Sequence, residues 1–119
     1  MVTLAPERAG ALDAIRYLAR NGVCVAAGHS MATLADMRAA VRAGLRLATH
    51  LYNAMRPFNH RAPGIIDAAL TLDALAVDLI ADGVHVHPPA IDIFLRCKPP
   101  DKVILVSDAV ATAGAPGGR

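Results

Sequence analysis

Short apolar runs alternate with longer amphipathic stretches along the whole chain, and this alternation restricts it to a parallel α/β architecture. The runs are residues 2–5 (VTLA), 23–27 (VCVAA), 45–51 (LRLATHL), 76–81 (AVDLIA) and 103–106 (VILV). They read as strands. Parallel strands cannot be joined by a hairpin; each pair needs a crossover, usually a helix, and right-handed crossovers are the rule. Four crossovers are legible. In residues 7–21, Leu12, Ile15, Tyr17, Leu18 and Ala19 fit one helical face, with Gly22 as a natural stop. Thr33 and Asp36 have the spacing of a capping box. The helix they open turns Leu34, Met37 and Val41 inward and ends at Gly44. Residues 65–70 predict a short third helix. Pro88 and Pro89 open a fourth, with Ile91, Phe94 and Leu95 on one side, and Pro99-Pro100 stops it. Residues 52–63 form a loop rich in Asn, Pro and His, and residues 109–119 a Gly/Ala/Pro tail loop.

Strand ends fall near positions 5, 28, 50, 81 and 107, about 25 residues apart on average, against about 30 per unit in a (β/α)8 barrel of about 250 residues. Five parallel strands with four connecting helices match half to five-eighths of such a TIM-type barrel. An open, doubly wound sheet of five strands fits the same arithmetic. The core must be aliphatic, because hydrophobic residues make up 55% of the 119 but aromatics only 3%, with no Trp. Such apolar content excludes a disordered chain. The longest stretch free of charged side chains, residues 21–35, is too short and too polar for a membrane span, which needs about 20 apolar residues. Residues 1–7 carry no basic region and no long apolar run, so no secretory signal is expected. Lys+Arg 12 against Asp+Glu 10 gives a net charge of +2, with the basic residues scattered. That argues against a nucleic-acid groove and leaves room for a small anionic ligand. Cys24 and Cys97 lie in apolar stretches and form no CxxC; they read as reduced core thiols of a cytoplasmic protein.

The polar residues are placed asymmetrically. Residues 23–27 run into Gly28-His29-Ser30. The third run contains Thr49-His50 and continues to Asn53. The fourth leads to Asp82-Gly83-Val84-His85-Val86-His87, and the fifth to Ser107-Asp108. The C-terminal edge of a parallel sheet is where α/β proteins bind ligands and do chemistry. One such residue alone reads as a hydrogen-bonded loop histidine, a helix cap or a turn residue. Four consecutive strands delivering His, His, His and Asp to one edge point to metal-assisted hydrolysis instead. Imidazole and carboxylate are the usual ligands of Zn²⁺ and similar ions, and a free carboxylate beside them is a hydrolytic arrangement.

Six segments, in order along the whole chain, resemble the N-acetylglucosamine-6-phosphate deacetylases of the amidohydrolase superfamily. They are Val2-Thr3-Leu4-Ala5-Pro6-Glu7; Ala27-Gly28-His29-Ser30 with Ala32-Thr33; Ala48-Thr49-His50-Leu51-Tyr52-Asn53-Ala54-Met55; Arg61-Ala62-Pro63-Gly64; Ala81-Asp82-Gly83-Val84-His85-Val86; and Ser107-Asp108-Ala109. The resemblance implies hydrolysis of the linear amide C–N bond of N-acetylglucosamine 6-phosphate, giving glucosamine 6-phosphate and acetate in amino-sugar catabolism. It implies His29 and His50 as protein ligands of a divalent metal: Zn, or alternatively Fe, Mn or Co. Asp108 resembles the general base that deprotonates the attacking water and then protonates the leaving amine. His85 resembles a substrate ligand beside the acetyl carbonyl. Asn53, Ala54 and Arg61 resemble the residues that hold the sugar phosphate, a role guanidinium geometry suits. The complete enzyme is expected to be a cytoplasmic homodimer.

The family's metal site also takes a glutamate from a segment like His-Leu-Glu-Gly-Pro, which is absent; Glu7, the only Glu, belongs to the Ala-Pro-Glu turn. Residues 1–119 therefore read as one partial amidohydrolase barrel domain holding later barrel strands, without the early strands and β-sandwich, and as an internal piece that is inactive alone. A dihydroorotase-like amidohydrolase would want an HxH pair on an early strand and a carboxylated Lys. A non-catalytic α/β piece is the remaining alternative. His60 sits in the phosphate-side loop beside Arg61 and is not assigned to the site, and His87 reads as a support for its loop.

Overall fold

The computed structural model describes residues 1–111, 113 and 114. Strands and helices alternate throughout: β1 (Val2–Leu4), α1 (Ala11–Arg20), β2 (Val25–Ala27), α2 (Leu34–Ala43), β3 (Leu47–Ala48), α3 (Ile65–Thr71), β4 (Ala76–Leu79), α4 (Pro88–Cys97), a 3-10 turn (Pro100–Lys102) and β5 (Val103–Leu105). All four neighbouring strand pairs are parallel, and the sheet order is β1-β2-β3-β4-β5. A doubly wound sheet reverses its order at a switch point. This one never reverses, so the open doubly wound alternative is set aside: the sheet is an arc of a (β/α)8 barrel.

The helices line up as the strands do, α1 against α2, α2 against α3 and α3 against α4. The capping box opens α2 as expected. The Asp36 N–H donates to Thr33 Oγ1 at 3.2 Å, and the Thr33 N–H donates to Asp36 Oδ2 at 2.9 Å. The Thr33 hydrogen bonds hold the Asp36 carboxyl below its ordinary range. Gly44 ends the helix at φ 121°, and a Cβ there would lie 2.6 Å from that of Ala19. Only glycine lets the end of α2 approach α1 so closely.

The core is aliphatic, with Phe94 as its one fully buried aromatic; Ile15, Met37, Leu45, Ile65, Leu75 and Leu79 are equally buried around it. Each such side chain contributes about 1.5–3 kcal/mol relative to exposure. Four expectations are corrected. Tyr17 is 69% exposed, because the buried stripe of α1 runs through Ala11 and Ile15, and a residue two places on from Ile15 faces away. Leu95 is exposed for the same reason beside Phe94. Neither cysteine is a core thiol: both are free and exposed, Cys24 just ahead of β2 and Cys97 at the last position of α4. The third strand is also shorter than residues 45–51, since the chain leaves the sheet after Ala48. Of the expected tail loop, residues 112 and 115–119 lie outside the described residues.

Burial falls from the middle of the sheet to its edges. Strands β2 and β3 are wholly buried, and β4 nearly so. On the edge strands Val2 is 39% and Leu105 68% exposed. Both edges carry unpaired backbone groups beside apolar side chains, an arrangement that templates association. Size-exclusion chromatography should therefore show this chain above its 12.4 kDa monomer mass and growing with concentration. Leu105→Lys should shift it toward the monomer. A concentration-independent monomer would show that the edges do not pair.

Candidate active site at the C-terminal sheet edge

Strand register assembles the two candidate metal ligands. Ala27 of β2 pairs with Ala48 of β3. His29 and His50 each stand two residues beyond this pair, and a shift of two keeps side chains on the same face. Their rings meet edge to face, with centroids 4.7 Å apart and planes at 87°. Between them, Gly28 has no room for a side chain. A Cβ there would lie 2.5 Å from Thr49 Cγ2 and 2.9 Å from Thr3 Cγ2.

His50 is buried and held from two sides. Its Nδ1 lies 3.1 Å from the Asn53 carbonyl. A carbonyl only accepts, so Nδ1 carries the proton and Nε2 keeps its lone pair, the form a metal-ligating histidine takes. Its backbone N–H donates to the carboxylate of Asp78, which lies on β4 and is buried. The Thr49 hydroxyl donates to the same carboxylate, 2.8 Å to Oδ2. Sequence reasoning missed Asp78, which reads as one more strand residue; the only available signal was a carboxylate inside an otherwise apolar run.

His29 is exposed, and its loop is tied down by a second carboxylate. Glu7, in the turn after β1, accepts from the Ser30 hydroxyl at 2.7 Å and the Met31 N–H at 2.8 Å. Partial burial raises the Glu7 carboxyl, but these hydrogen bonds outweigh it and leave the group below its ordinary value. The 52–56 loop is stitched to the same place, with Ser30 N–H donating to the Ala54 carbonyl and Arg56 N–H to the Ser30 carbonyl.

Four non-glycine candidates adopt the left-handed conformation: His29 (φ 49°), His50 (39°), Ala54 (49°) and Asp108 (49°), with Tyr52 (76°) the remaining such residue among the described residues. Each costs of order 1–3 kcal/mol and persists only where its surroundings enforce it, and such residues cluster at functional sites.

Of the other candidates, Asn53 is hydrogen-bonded to His50 itself and Ala54 to Ser30, whereas among the described residues no hydrogen bond links Arg61, His85 or Asp108 to the pair. Asn53 donates its side-chain amide to the Leu51 and His50 carbonyls. Arg61 is exposed, its backbone N–H held by Asn59 Oδ1 at 2.9 Å. His85 is exposed after β4; its Nδ1 lies 2.6 Å from Asp82 Oδ2. That ring contact, with the N–H groups of His85 and Val84, lowers the Asp82 carboxyl to about 2. Asp108 is exposed beyond β5, next to a cleft of about 380 Å³ lined by Ile80, Asp82, Leu105 and Ser107. His60 is exposed, and His87 caps α4 with its carbonyl, which accepts from Ala90 and Ile91. Among the described residues, no group of three His, Cys, Asp or Glu side chains is placed to hold a metal ion. His29 and His50 fit as two ligands of a larger set.

Asp78→Ala removes the acceptor of a buried N–H and a hydroxyl. It should destabilise the fold by about 1–3 kcal/mol in urea unfolding and loosen the His29–His50 ring contact, read as a weakened ring-to-ring nuclear Overhauser effect. An unchanged stability and ring contact would make Asp78 a bystander.

No family model matches the chain. It is 44% identical over 118 residues to N-acetylglucosamine-6-phosphate deacetylase of Lysinibacillus sphaericus, covering 99% of this chain and 30% of the relative. It is 45% identical over 119 residues to N-acetylgalactosamine-6-phosphate deacetylase of Escherichia coli O157:H7, covering 100% and 31%. The crystal structure of N-acetyl-D-glucosamine-6-phosphate deacetylase from Mycobacterium smegmatis superimposes with a TM-score of 0.92 at 44% identity, over 97% of this chain and 33% of that one. An aspartate-to-alanine variant from the same organism, in complex with N-acetyl-D-glucosamine-6-phosphate, superimposes as well, with a TM-score of 0.92. From its first strand to its last, the chain is thus similar in sequence and fold to a stretch of N-acetylglucosamine-6-phosphate deacetylases, and it spans about 30% of the length of the curated relatives it matches.

Proposed function

We propose that this chain supplies part of the active site of a metal-dependent deacetylase acting on N-acetylglucosamine 6-phosphate in amino-sugar catabolism. The observation that carries the reading is the His29–His50 ring pair at the ends of two in-register strands. His50 is fixed beside His29, its backbone by the buried Asp78 carboxylate and its ring by the Asn53 carbonyl. His29 and His50 would hold a divalent ion, Zn²⁺ by ligand type, with Fe, Mn or Co as alternatives. When bound, such an ion lowers the pKa of water and polarises a carbonyl.

The remaining roles belong to the chain's own residues. Asp108 takes a proton from the attacking water as its oxygen bonds to the acetyl carbon. It returns that proton to the nitrogen as the C–N bond breaks, so acetate and a free amine leave. His85 meets the acetyl oxygen. Asn53, Ala54 and Arg61 hold the phosphate, with the Arg61 guanidinium matched to two phosphate oxygens. The substrate complex of the aspartate-to-alanine M. smegmatis variant supports a catalytic aspartate in these enzymes. The E. coli O157:H7 relative keeps the C4 epimer, N-acetylgalactosamine 6-phosphate, as a second candidate substrate. Two free cysteines fit a cytoplasmic enzyme, and the complete enzyme is read as a homodimer.

The test is a chimera in which this chain replaces the matching stretch of the M. smegmatis enzyme. It should release acetate from N-acetylglucosamine 6-phosphate. Asp108→Asn in the chimera should lower kcat by about 10²–10⁴-fold with metal content unchanged. Arg61→Ala should raise KM for the phosphorylated sugar far more than for N-acetylglucosamine. An active Asp108→Asn chimera, or equal losses on both sugars for Arg61→Ala, would remove that residue from its role.

A further inference from the structure

The loop after β4 gives Asp82 two separate tasks. Oδ1 accepts from the Val84 and His85 N–H groups, both at 2.8 Å, and so closes the turn. Oδ2 accepts from His85 Nδ1 at 2.6 Å. A turn needs only the first oxygen. The second fixes the chemistry of the ring. A carboxylate donates nothing, so the ring nitrogen facing it must carry a proton. Nε2 has no partner among the described residues, and His85 is exposed.

We infer that Asp82 is the positioning residue that keeps Nδ1 of His85 protonated, so that His85 meets substrate through Nε2 alone. The inference deepens the reading of His85 as a substrate ligand and rests on it. The consequence is specific. A neutral His85 offers only a lone pair at Nε2, which suits a sugar hydroxyl and not a carbonyl oxygen. To donate to the acetyl oxygen, the ring must hold both protons, and the Asp82 carboxylate then balances the imidazolium charge across the 2.6 Å contact. Asp82 thus decides which substrate atom His85 can address. It need not touch substrate itself.

Asp82→Asn separates the two tasks. The amide oxygen in place of Oδ1 still closes the turn, whereas the amide NH₂ in place of Oδ2 donates to Nδ1. The proton then moves to Nε2. In the wild-type chain, labelled with ¹⁵N-histidine and held at a pH where the ring is neutral, long-range ¹H–¹⁵N spectra should show His85 protonated at Nδ1. Asp82→Asn should switch it to Nε2, with the far-UV circular dichroism unchanged. Asp82→Ala, which offers the ring no partner, should give a mixture. An Nε2-protonated His85 in the wild-type chain, or one tautomer common to all three proteins, would overturn the inference. The reading of the site is tested apart from this in the active chimera, where saturating N-acetylglucosamine 6-phosphate should displace the His85 Nε2 resonance. A correct tautomer with no displacement would refute His85 as a substrate ligand and leave the Asp82–His85 geometry standing.

Discussion

The in-register pairing of Ala27 with Ala48 is the constraint on which the site depends. Strands β2 and β3 contribute only three and two paired residues, all buried. Because side chains alternate along a strand, a slip of one residue in either strand would send its histidine to the other face of the sheet. Everything around the pair opposes such a slip. Gly28 leaves no gap between Thr3 and Thr49, and Ile15 of α1 with Met37 and Ala40 of α2 packs into one core with Val25, Ala27 and Ala48.

Three carboxylates then fix what the strands deliver, each reaching across the chain or around a turn. Glu7 ties the His29 loop to the end of β1. Asp78 ties the backbone of His50 to β4, and Asp82 ties the ring of His85 to its own turn. None of the three is proposed to act on substrate. Glu7 and Asp78 thereby hold the loops that carry the two metal-ligand candidates, both at positive φ. Strain of this kind persists only where the surroundings over-determine it, and here the hydrogen bonds to the exposed Glu7 carboxylate and the buried Asp78 carboxylate do so.

Much of this was legible in the sequence because it follows from period and punctuation. Five strands, four crossover helices, the Thr33–Asp36 box and the Pro88 start are local signals, and the structure has them all. The facing of Tyr17 and Leu95 was not legible, because a helix of ten residues with scattered apolar positions permits more than one stripe. The exposure of Cys24 and Cys97 follows from their places at element ends, which apolar composition does not reveal. At the site, His29, His50, His85 and Asp108 stood out as polar residues ending apolar runs. Asp78, Glu7 and the second task of Asp82 were invisible because each depends on a partner brought near only by the fold or by turn geometry.

The proposed site requires His29 and His50 to be two ligands of one ion, presented by one strand register. The direct measurement is a Zn²⁺ titration of the ¹⁵N-histidine-labelled active chimera after metal removal, following the ring nitrogens. One equivalent should move the His29 and His50 resonances together, with His50 responding at Nε2 while Nδ1 stays protonated against Asn53. His50→Ala should abolish the response of His29. Zn²⁺ that perturbs only one of the two rings, or that binds instead at His60 or His87, would contradict the shared site.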